Sequence, residues 1–305
     1  MKKNLKMSAA ILAAVMVMGS LTACGGSSSD PTTAAAKDTT AAAADSGSTA
    51  AADSGSATGD VTADVQKIID AGVLKVGVKT DVPCFSLQNT ATGEYEGLED
   101  DLAYNIAGKI FGCTPDEAKE KKLVEFQGVT AKTRGPLVEN GELDMVIATF
   151  TITEERKETY NFSTPYFTDA VGLLVLKDSG INSIEDLDGK VIGVAQGSTS
   201  QKGFEAYVAE KGINVKPTFE EFDGYPALAA ALSAKNIDVF SMDRAILAGY
   251  RDDTNKLLDD RYAEQEYGVC TKKENTGLAE LVDGVVTDLK DSGKLAEMIK
   301  DWGIE

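Results

Sequence analysis

The sequence predicts an α/β fold built as two modules, and three features predict it. Short apolar runs that suit buried strands alternate with segments whose apolar residues recur at helical spacing. The alternation starts afresh near residue 170, which leaves two units of about 100 residues each, an ordinary domain size. Ahead of them, residues 25–60 are almost all Ala, Thr, Ser, Gly and Asp, with no aromatic and no aliphatic side chain larger than Ala. Such a stretch cannot bury enough apolar surface to offset the entropy of ordering it.

The elements follow in order. Residues 1–23 are laid out as a secretory signal: Lys2, Lys3 and Lys6, an apolar run from Ile11 to Met18, then small residues. That run is shorter than the roughly 20 residues of a membrane span. Residues 24–60 form a flexible tether, and the folded part starts near Val61. A helix is predicted over Asp64–Ala71, closed by Gly72, and a strand over Leu74–Val78. Leu102, Ala103, Ile106 and Ile110 place a helix over Glu99–Phe111, stopped by Gly112. A strand at Leu123–Phe126, a helix at Lys132–Glu139 and a buried strand at Leu143–Ala148 follow. Thr153 caps a helix running to about Tyr160. The second module opens with strand Ala170–Leu176, then strand Val191–Val194 ending in Gln196-Gly197-Ser198-Thr199-Ser200 and a helix. Phe219–Phe222 is extended, Tyr225–Ala234 an Ala-rich helix, Ile237–Phe240 a strand and Arg244–Tyr250 a helix. Tyr267–Cys270 is extended, and helices Leu278–Leu289 and Leu295–Trp302 end the chain. The β-α-β-α order argues for mostly parallel sheets with helices on both faces.

Composition excludes whole classes of function. The 305-residue chain contains no histidine and carries a formal net charge of −19. Without histidine there is no Ser-His-Asp or Cys-His catalysis and no histidine metal ligand. An acidic surface repels phosphate backbones, so nucleic acid is not an expected partner. Residues 1–60 hold Lys2, Lys3, Lys6 and Lys37 against Asp30, Asp38, Asp45, Asp53 and Asp60, so the acidity belongs to the folded part. Any anion it binds must be held by a local cluster of positive groups. Beyond Cys24, only Cys84, Cys113 and Cys270 occur, with no CxxC spacing. They read as single buried thiols rather than a disulfide framework or a zinc site, and no cofactor is expected.

In parallel α/β sheets ligands sit beyond the carboxyl ends of strands, near helix N-termini. Four strand ends here carry Lys79-Thr80-Asp81, Thr149-Phe150-Thr151 with Arg156, Ser198-Thr199, and Asp243. Together they offer the Asp243 carboxylate, the guanidinium groups of Arg156 and Arg134, the Lys79 ammonium, and hydroxyls. That set complements a zwitterion: a forked guanidinium and N–H groups for an α-carboxylate, a carboxylate for an α-ammonium.

Two resemblances sharpen this reading. Leu21-Thr22-Ala23-Cys24 resembles the bacterial lipobox, which implies that Cys24 begins the mature chain and carries a lipid holding it to the outer face of a membrane. The stretch VTAKTRGPLVENGELDMVIATFTITEERKETY, with NFSTPYF, DLDGKVIGVAQGSTS and EYGVCTKK, resembles the polar amino-acid-binding proteins of bacterial ABC importers. That resemblance implies a two-lobed type II periplasmic-binding-protein fold. Lobe one would be 61–165 plus 270–305, lobe two 171–264, with hinge crossings at 166–170 and 265–269. It also implies a monomer that passes an amino acid to a permease and its ATPase on separate chains. By motif, Arg156 would grip the ligand α-carboxylate, with Thr149 and Thr151 beside it. Ser198 and Thr199 would supply helix-start N–H groups, and Asp243 would take the α-ammonium. Phe85 would form an aromatic wall or core, and Tyr225 a lid contact or a packed turn.

Lys79 occupies the position that reads the ligand side chain in relatives, and Arg134 would face the same end. Two positive groups beyond Arg156 lead to an expected acidic ligand, glutamate or aspartate, unless Lys79 pairs with Asp81 or a nearby glutamate. Cysteine or cystine is the alternative ligand, then glutamine. A dehydratase on this fold would need a general acid over the pocket, which a chain without histidine and with few pocket acids poorly supplies. A sensor using the same pocket is the third function class.

Overall fold

Strands buried on both faces need helices on both sides, and this chain meets that need twice. The computed structural model describes residues 61–304. The signal at 1–23, Cys24 and the tether to residue 60 lie outside the described residues.

The first sheet runs Val124–Gly128, Leu74–Val78, Met145–Val146, Cys270–Lys272, Tyr160–Phe162. Its first three strands are parallel, with Val76 opposite both Phe126 and Met145. Its last two pair antiparallel. In the second sheet Val191–Ala195 lies parallel to both Thr218–Phe222 and Val239–Asp243. Phe167–Leu176, Asn255–Leu257 and Tyr262–Tyr267 complete it in antiparallel fashion. The parallel reading therefore holds for the centre of each sheet and fails at the strands that leave and return.

Those strands make the connection between lobes. Phe167–Leu176 is one continuous strand of ten residues leading from the first sheet into the second. Tyr262–Tyr267 returns alongside it, pairing Tyr267 with Phe167 and Gln265 with Asp169. The two crossings are thus a single antiparallel ribbon. One core cluster reaches from Val76 and Leu102 in lobe one through Tyr166 and Tyr267 to Leu228 and Ile246 in lobe two.

Element boundaries moved where tertiary contacts outvoted local pattern. The strand expected over Leu143–Ala148 shortens to Met145–Val146, because the backbone turns at Thr149. A helix at Pro115–Glu120 was not anticipated, although Thr114 and Glu117 form a reciprocal capping box with Pro115 in the first turn. A small sheet of Asp81–Val82, Ser86–Gln88 and Tyr95–Glu96 also escaped the pattern, since its strands are too short to show a period. The three cysteines are free; Cys270 is buried, Cys84 and Cys113 only half-buried.

Candidate functional site

After strand Met145–Val146 the chain bends at Thr149, whose φ of 45° lies in the left-handed region that a β-branched residue adopts only under constraint. The constraint is visible. Thr149 N–H donates to Glu99 Oε1, and its carbonyl accepts from Arg134 Nη1 at 3.0 Å. Arg134 also donates to the Ala148 carbonyl. Glu99 is fully buried near the start of helix Leu98–Phe111 and takes a second hydrogen bond from Tyr166. Gly97, just before that helix, approaches Phe85 so closely that a Cβ would lie 2.0 Å from the Phe85 carbonyl oxygen, so only glycine fits.

The bend brings two guanidinium groups to one aromatic ring. Arg134 and Arg156 stand 4.1 and 4.6 Å from the centroid of Phe150. Arg156 donates to the Thr151 carbonyl at 2.7 Å and, across the cleft, to the Gly197 carbonyl at 2.9 Å. Neither arginine has a carboxylate within ion-pair distance among the described residues. Burial and the neighbouring Arg134 charge pull Arg156 down to about 9. Arg134 Nε is buried with no hydrogen-bond partner.

Asp243 ends strand Val239–Asp243 and is completely buried. Its Oδ2 accepts from Tyr267 at 2.6 Å, while Oδ1 has no partner. Burial, with repulsion from Asp169, pushes its carboxyl up to about 7 against the pull of Tyr267 and the two arginines. The Asp243 side chain does not cap the helix that follows it; Asp169 Oδ2 instead accepts the Ala245 N–H at 2.8 Å. Between these groups, Gln265 Oε1 accepts from Thr151 Oγ1 at 2.7 Å in lobe one and from Thr199 Oγ1 at 2.6 Å in lobe two. Thr151, Arg156, Ser198, Thr199 and Gln265 all line a cleft of about 940 Å³. Glu155 and Lys202 bridge the lobes at its rim, 2.7 Å apart.

Beyond the residues lining that cleft, a second set of charges is arranged differently. Lys79 is 1% exposed. Its ammonium lies 3.1 Å from Asp81 Oδ1 and 4.3 Å from the Tyr225 ring centroid, and donates to the Val129 carbonyl at 3.4 Å. The Asp81 contact is close in distance without the alignment of a hydrogen bond. Burial lowers the Lys79 pKa and Asp81 opposes that shift. Tyr225 is 1% exposed with its hydroxyl unpartnered.

Arg134 lies within electrostatic reach of both Lys79 and Arg156. The exception named with the acidic-ligand expectation is present. Lys79 is not a free positive charge: it pairs with Asp81, two residues along the chain. Glu99 and Asp243 stand near the arginines, so three acids face three cations. The Ser198 N–H donates to the Ala195 carbonyl in the turn at 3.0 Å. Phe85 is core in this arrangement, 1% exposed and packed edge-on against Phe167 and Tyr267 at 5.2 and 6.0 Å. Glu99, Phe150, Gln265 and Tyr267 escaped sequence reasoning. Phe150 and Tyr267 lie inside strings already singled out and Gln265 starts the second expected crossing, whereas nothing local marks Glu99 as buried, since acids at a helix start ordinarily complement its dipole in solvent.

Two α/β lobes joined by a paired ribbon, with buried charges facing each other across the cleft between them, define a hinged solute-binding protein. The comparisons agree. This chain belongs to the bacterial extracellular solute-binding proteins, family 3, which match it over residues 74–305. Members are solute-binding proteins and not enzymes. The glutamine-binding protein of Geobacillus stearothermophilus is 38% identical, covering 87% of this chain and 92% of the relative. The ABC transporter glutamine-binding protein of Bacillus subtilis is 35% identical over 77% of this chain and 82% of its own length. Among solved structures, an ancestral arginine-binding protein bound to glutamine matches with a TM-score of 0.64 at 29% identity, covering 77% of this chain and 99% of that one.

Proposed function

We propose that this protein captures a polar amino acid between its two lobes for an ABC importer, and that glutamine is the preferred solute. The observation that carries this is the contrast between the paired Lys79–Asp81 charges and the unpaired Arg156 and Asp243. Arg156, with Arg134 behind it, takes the α-carboxylate, whose forked geometry suits a guanidinium. Asp243 takes the α-ammonium through its unpartnered Oδ1. Thr149, Thr151, Thr199 and Ser198 supply hydroxyl and carbonyl contacts around them. The side chain then meets Lys79, Asp81 and Tyr225. A carboxamide offers an oxygen to the ammonium and an N–H to the carboxylate, so it suits a pair that is already balanced. A second carboxylate would lie beside Asp81 without a free cation, a costly placement in a buried site. Two relatives above 30% identity named for glutamine favour the same reading.

Glutamate or aspartate is the second reading. The cluster of Lys79, Arg134 and Arg156 favours it, and a glutamate-binding protein of Corynebacterium efficiens is 28% identical over 76% of this chain. Lobe one is assigned 61–165 plus 270–305, lobe two 171–264, and 166–170 with 265–269 are the segments that flex. Cys24 carries the lipid, anchoring a monomer on the outer face of the cell membrane beside its permease. Isothermal titration of the full chain with glutamine, glutamate, aspartate, cystine and arginine tests the solute. Glutamine is expected to bind tightest; tight glutamate binding with no heat from glutamine would return the assignment to the acidic amino acids.

A further inference from the structure

Lobe two grips the Asp81 loop at three points, none of which brings a charge. Tyr250 follows helix Arg244–Ala248 and is fixed in its own lobe: its N–H donates to the Leu247 carbonyl at 3.0 Å, and its carbonyl accepts from Asn255 Nδ2 at 3.1 Å. Its ring packs edge-on against Phe240 at 5.7 Å and against Tyr225 at 6.4 Å. Its hydroxyl crosses to lobe one and donates to the Asp81 carbonyl at 2.7 Å. Beside it, Gly249 faces Pro83 so closely that a Cβ would lie 3.0 Å from Pro83 Cδ. On the third side, Asp81 Oδ2 lies against Gly224, 3.8 Å from where a Cβ would stand, at the start of helix Tyr225–Ser233. Burial and the nearby Asp81 charge hold the Tyr250 phenol far above the ordinary tyrosine range, so it stays a donor.

We infer that Tyr250 is a positioning residue for the side-chain end of the cleft, acting through the Asp81 loop and not on the bound solute. The inference rests on the reading of Lys79 and Asp81 as the side-chain contacts. Asp81 belongs to lobe one, where its strand pairs with Ser86–Gln88, and its carbonyl is tied in addition by a residue of lobe two, so the pair it forms with Lys79 gains that second hold only while the lobes are together. Tyr250 also backs the Tyr225 ring that faces the Lys79 ammonium. Discrimination at this end is therefore completed by closure. Encounter of the solute with separated lobes does not involve Tyr250, whereas escape from the closed form requires its hydrogen bond to break.

Two variants of the full chain test this, Tyr250→Phe and Gly249→Ala. The first deletes one hydrogen bond and keeps the ring. The second adds a methyl group that meets a proline ring only when the lobes are together, at a φ that alanine tolerates. Titration with glutamine, and dissociation of isotope-labelled glutamine on dilution, should show affinity weakened about three- to tenfold for Tyr250→Phe, the usual worth of one hydrogen bond. The loss should sit in the dissociation rate, with association changed less than about twofold. Gly249→Ala should move the same rate in the same direction. Wild-type kinetics in both variants, or a loss confined to association, would overturn the inference. Hydrogen exchange with a saturating amino acid, whichever of the titrated set binds, provides an independent readout: Tyr250→Phe should deprotect amides around Asp81–Cys84 and leave helix Tyr225–Ser233 unchanged, and unchanged protection at Asp81–Cys84 would refute the role. A wild-type chain that fails to bind glutamine would sink the proposed solute alone, with exchange still deciding on Tyr250.

Discussion

Two charge clusters between the lobes use the same kinds of charge in opposite ways. At one end Arg134 and Asp243 are buried and Arg156 half-buried, all without ionic partners, and Arg134 Nε and Asp243 Oδ1 lack a hydrogen-bond partner. At the other, the buried Lys79 lies against the half-buried Asp81. An unpaired buried charge carries a desolvation cost that a ligand of opposite sign relieves, so the first end demands charged groups. A paired charge has already relieved that cost, so the second end asks only for polar complementarity. This difference teaches that counting cations in a pocket does not give the ligand charge; their partners must be counted too.

The sharpest way to break the comparison is Arg156→Ala. Removing a charge-assisted fork should weaken binding of every amino acid tested by about 2–5 kcal/mol, or roughly 30- to several-thousand-fold. Arg156→Lys should recover only part of this, because an ammonium lacks the fork. Retained affinity by titration would remove Arg156 from the site.

Asp243→Asn should cost somewhat less, about 2–3 kcal/mol, and should also change a pH profile. Asp243 titrates near 7 in the described form, well above the ordinary carboxylate value, so its proton is still held at pH 6. A bound ammonium favours the carboxylate, hence binding releases a proton and tightens as pH rises. The wild-type chain should gain up to about tenfold in affinity per pH unit between pH 6 and pH 7, and Asp243→Asn should flatten that slope. The same raised carboxyls act in the opposite direction on stability without solute. Glu99, Asp100 and Asp243, raised to about 7, 8 and 7, keep protons that the unfolded chain has lost, so the melting temperature should fall as pH rises from about 4 towards 8. A rising melting temperature over that range would contradict their burial.

Asp81→Asn tests the paired end. It leaves Lys79 buried without its ion-pair partner, so the ratio of glutamate to glutamine affinity should rise about tenfold or more. A ratio that does not move would mean that the pair takes no part in reading the side chain. The smallest effect expected is that of Phe150→Leu, which removes the ring shared by both arginines. A loss of about 0.5–2 kcal/mol in binding is expected, with selectivity among amino acids unchanged. Altered selectivity would place Phe150 at the side-chain end.

Much of the fold was legible because its signals are local. Strand Leu74–Val78 and the start of helix Tyr225–Ser233 fell where apolar runs and a Gly-Tyr-Pro junction put them. Thr153 caps its helix, accepting from the Arg156 N–H at 3.1 Å, as a threonine before two glutamates suggests. The short strands at Asp81–Val82 and Tyr95–Glu96 were not legible, because two residues show no periodicity. Of the site, Arg156, Arg134, Lys79, Thr151, Thr199 and Asp243 were named from motifs and strand ends, and their clustering followed. Asp81 was visible as one partner open to Lys79, and two residues apart on an extended segment their side chains point the same way. Glu99 and Tyr250 were not visible. Each acts on a residue distant in sequence, Thr149 and Asp81, through contacts that pattern does not encode.

By itself the sequence determined the α/β modules, the absence of histidine chemistry and which residue types could meet a zwitterion, because hydrophobic period and side-chain chemistry are properties of short stretches. A net charge of −19 remained compatible with binding a carboxylate once three cations could be placed together. Only the tertiary structure decided which of those cations are spoken for. Burial sets the cost of a charge, partners from distant segments set its relief, and both are fixed when strand Val239–Asp243, the bend at Thr149 and the Asp81 loop close around one cleft.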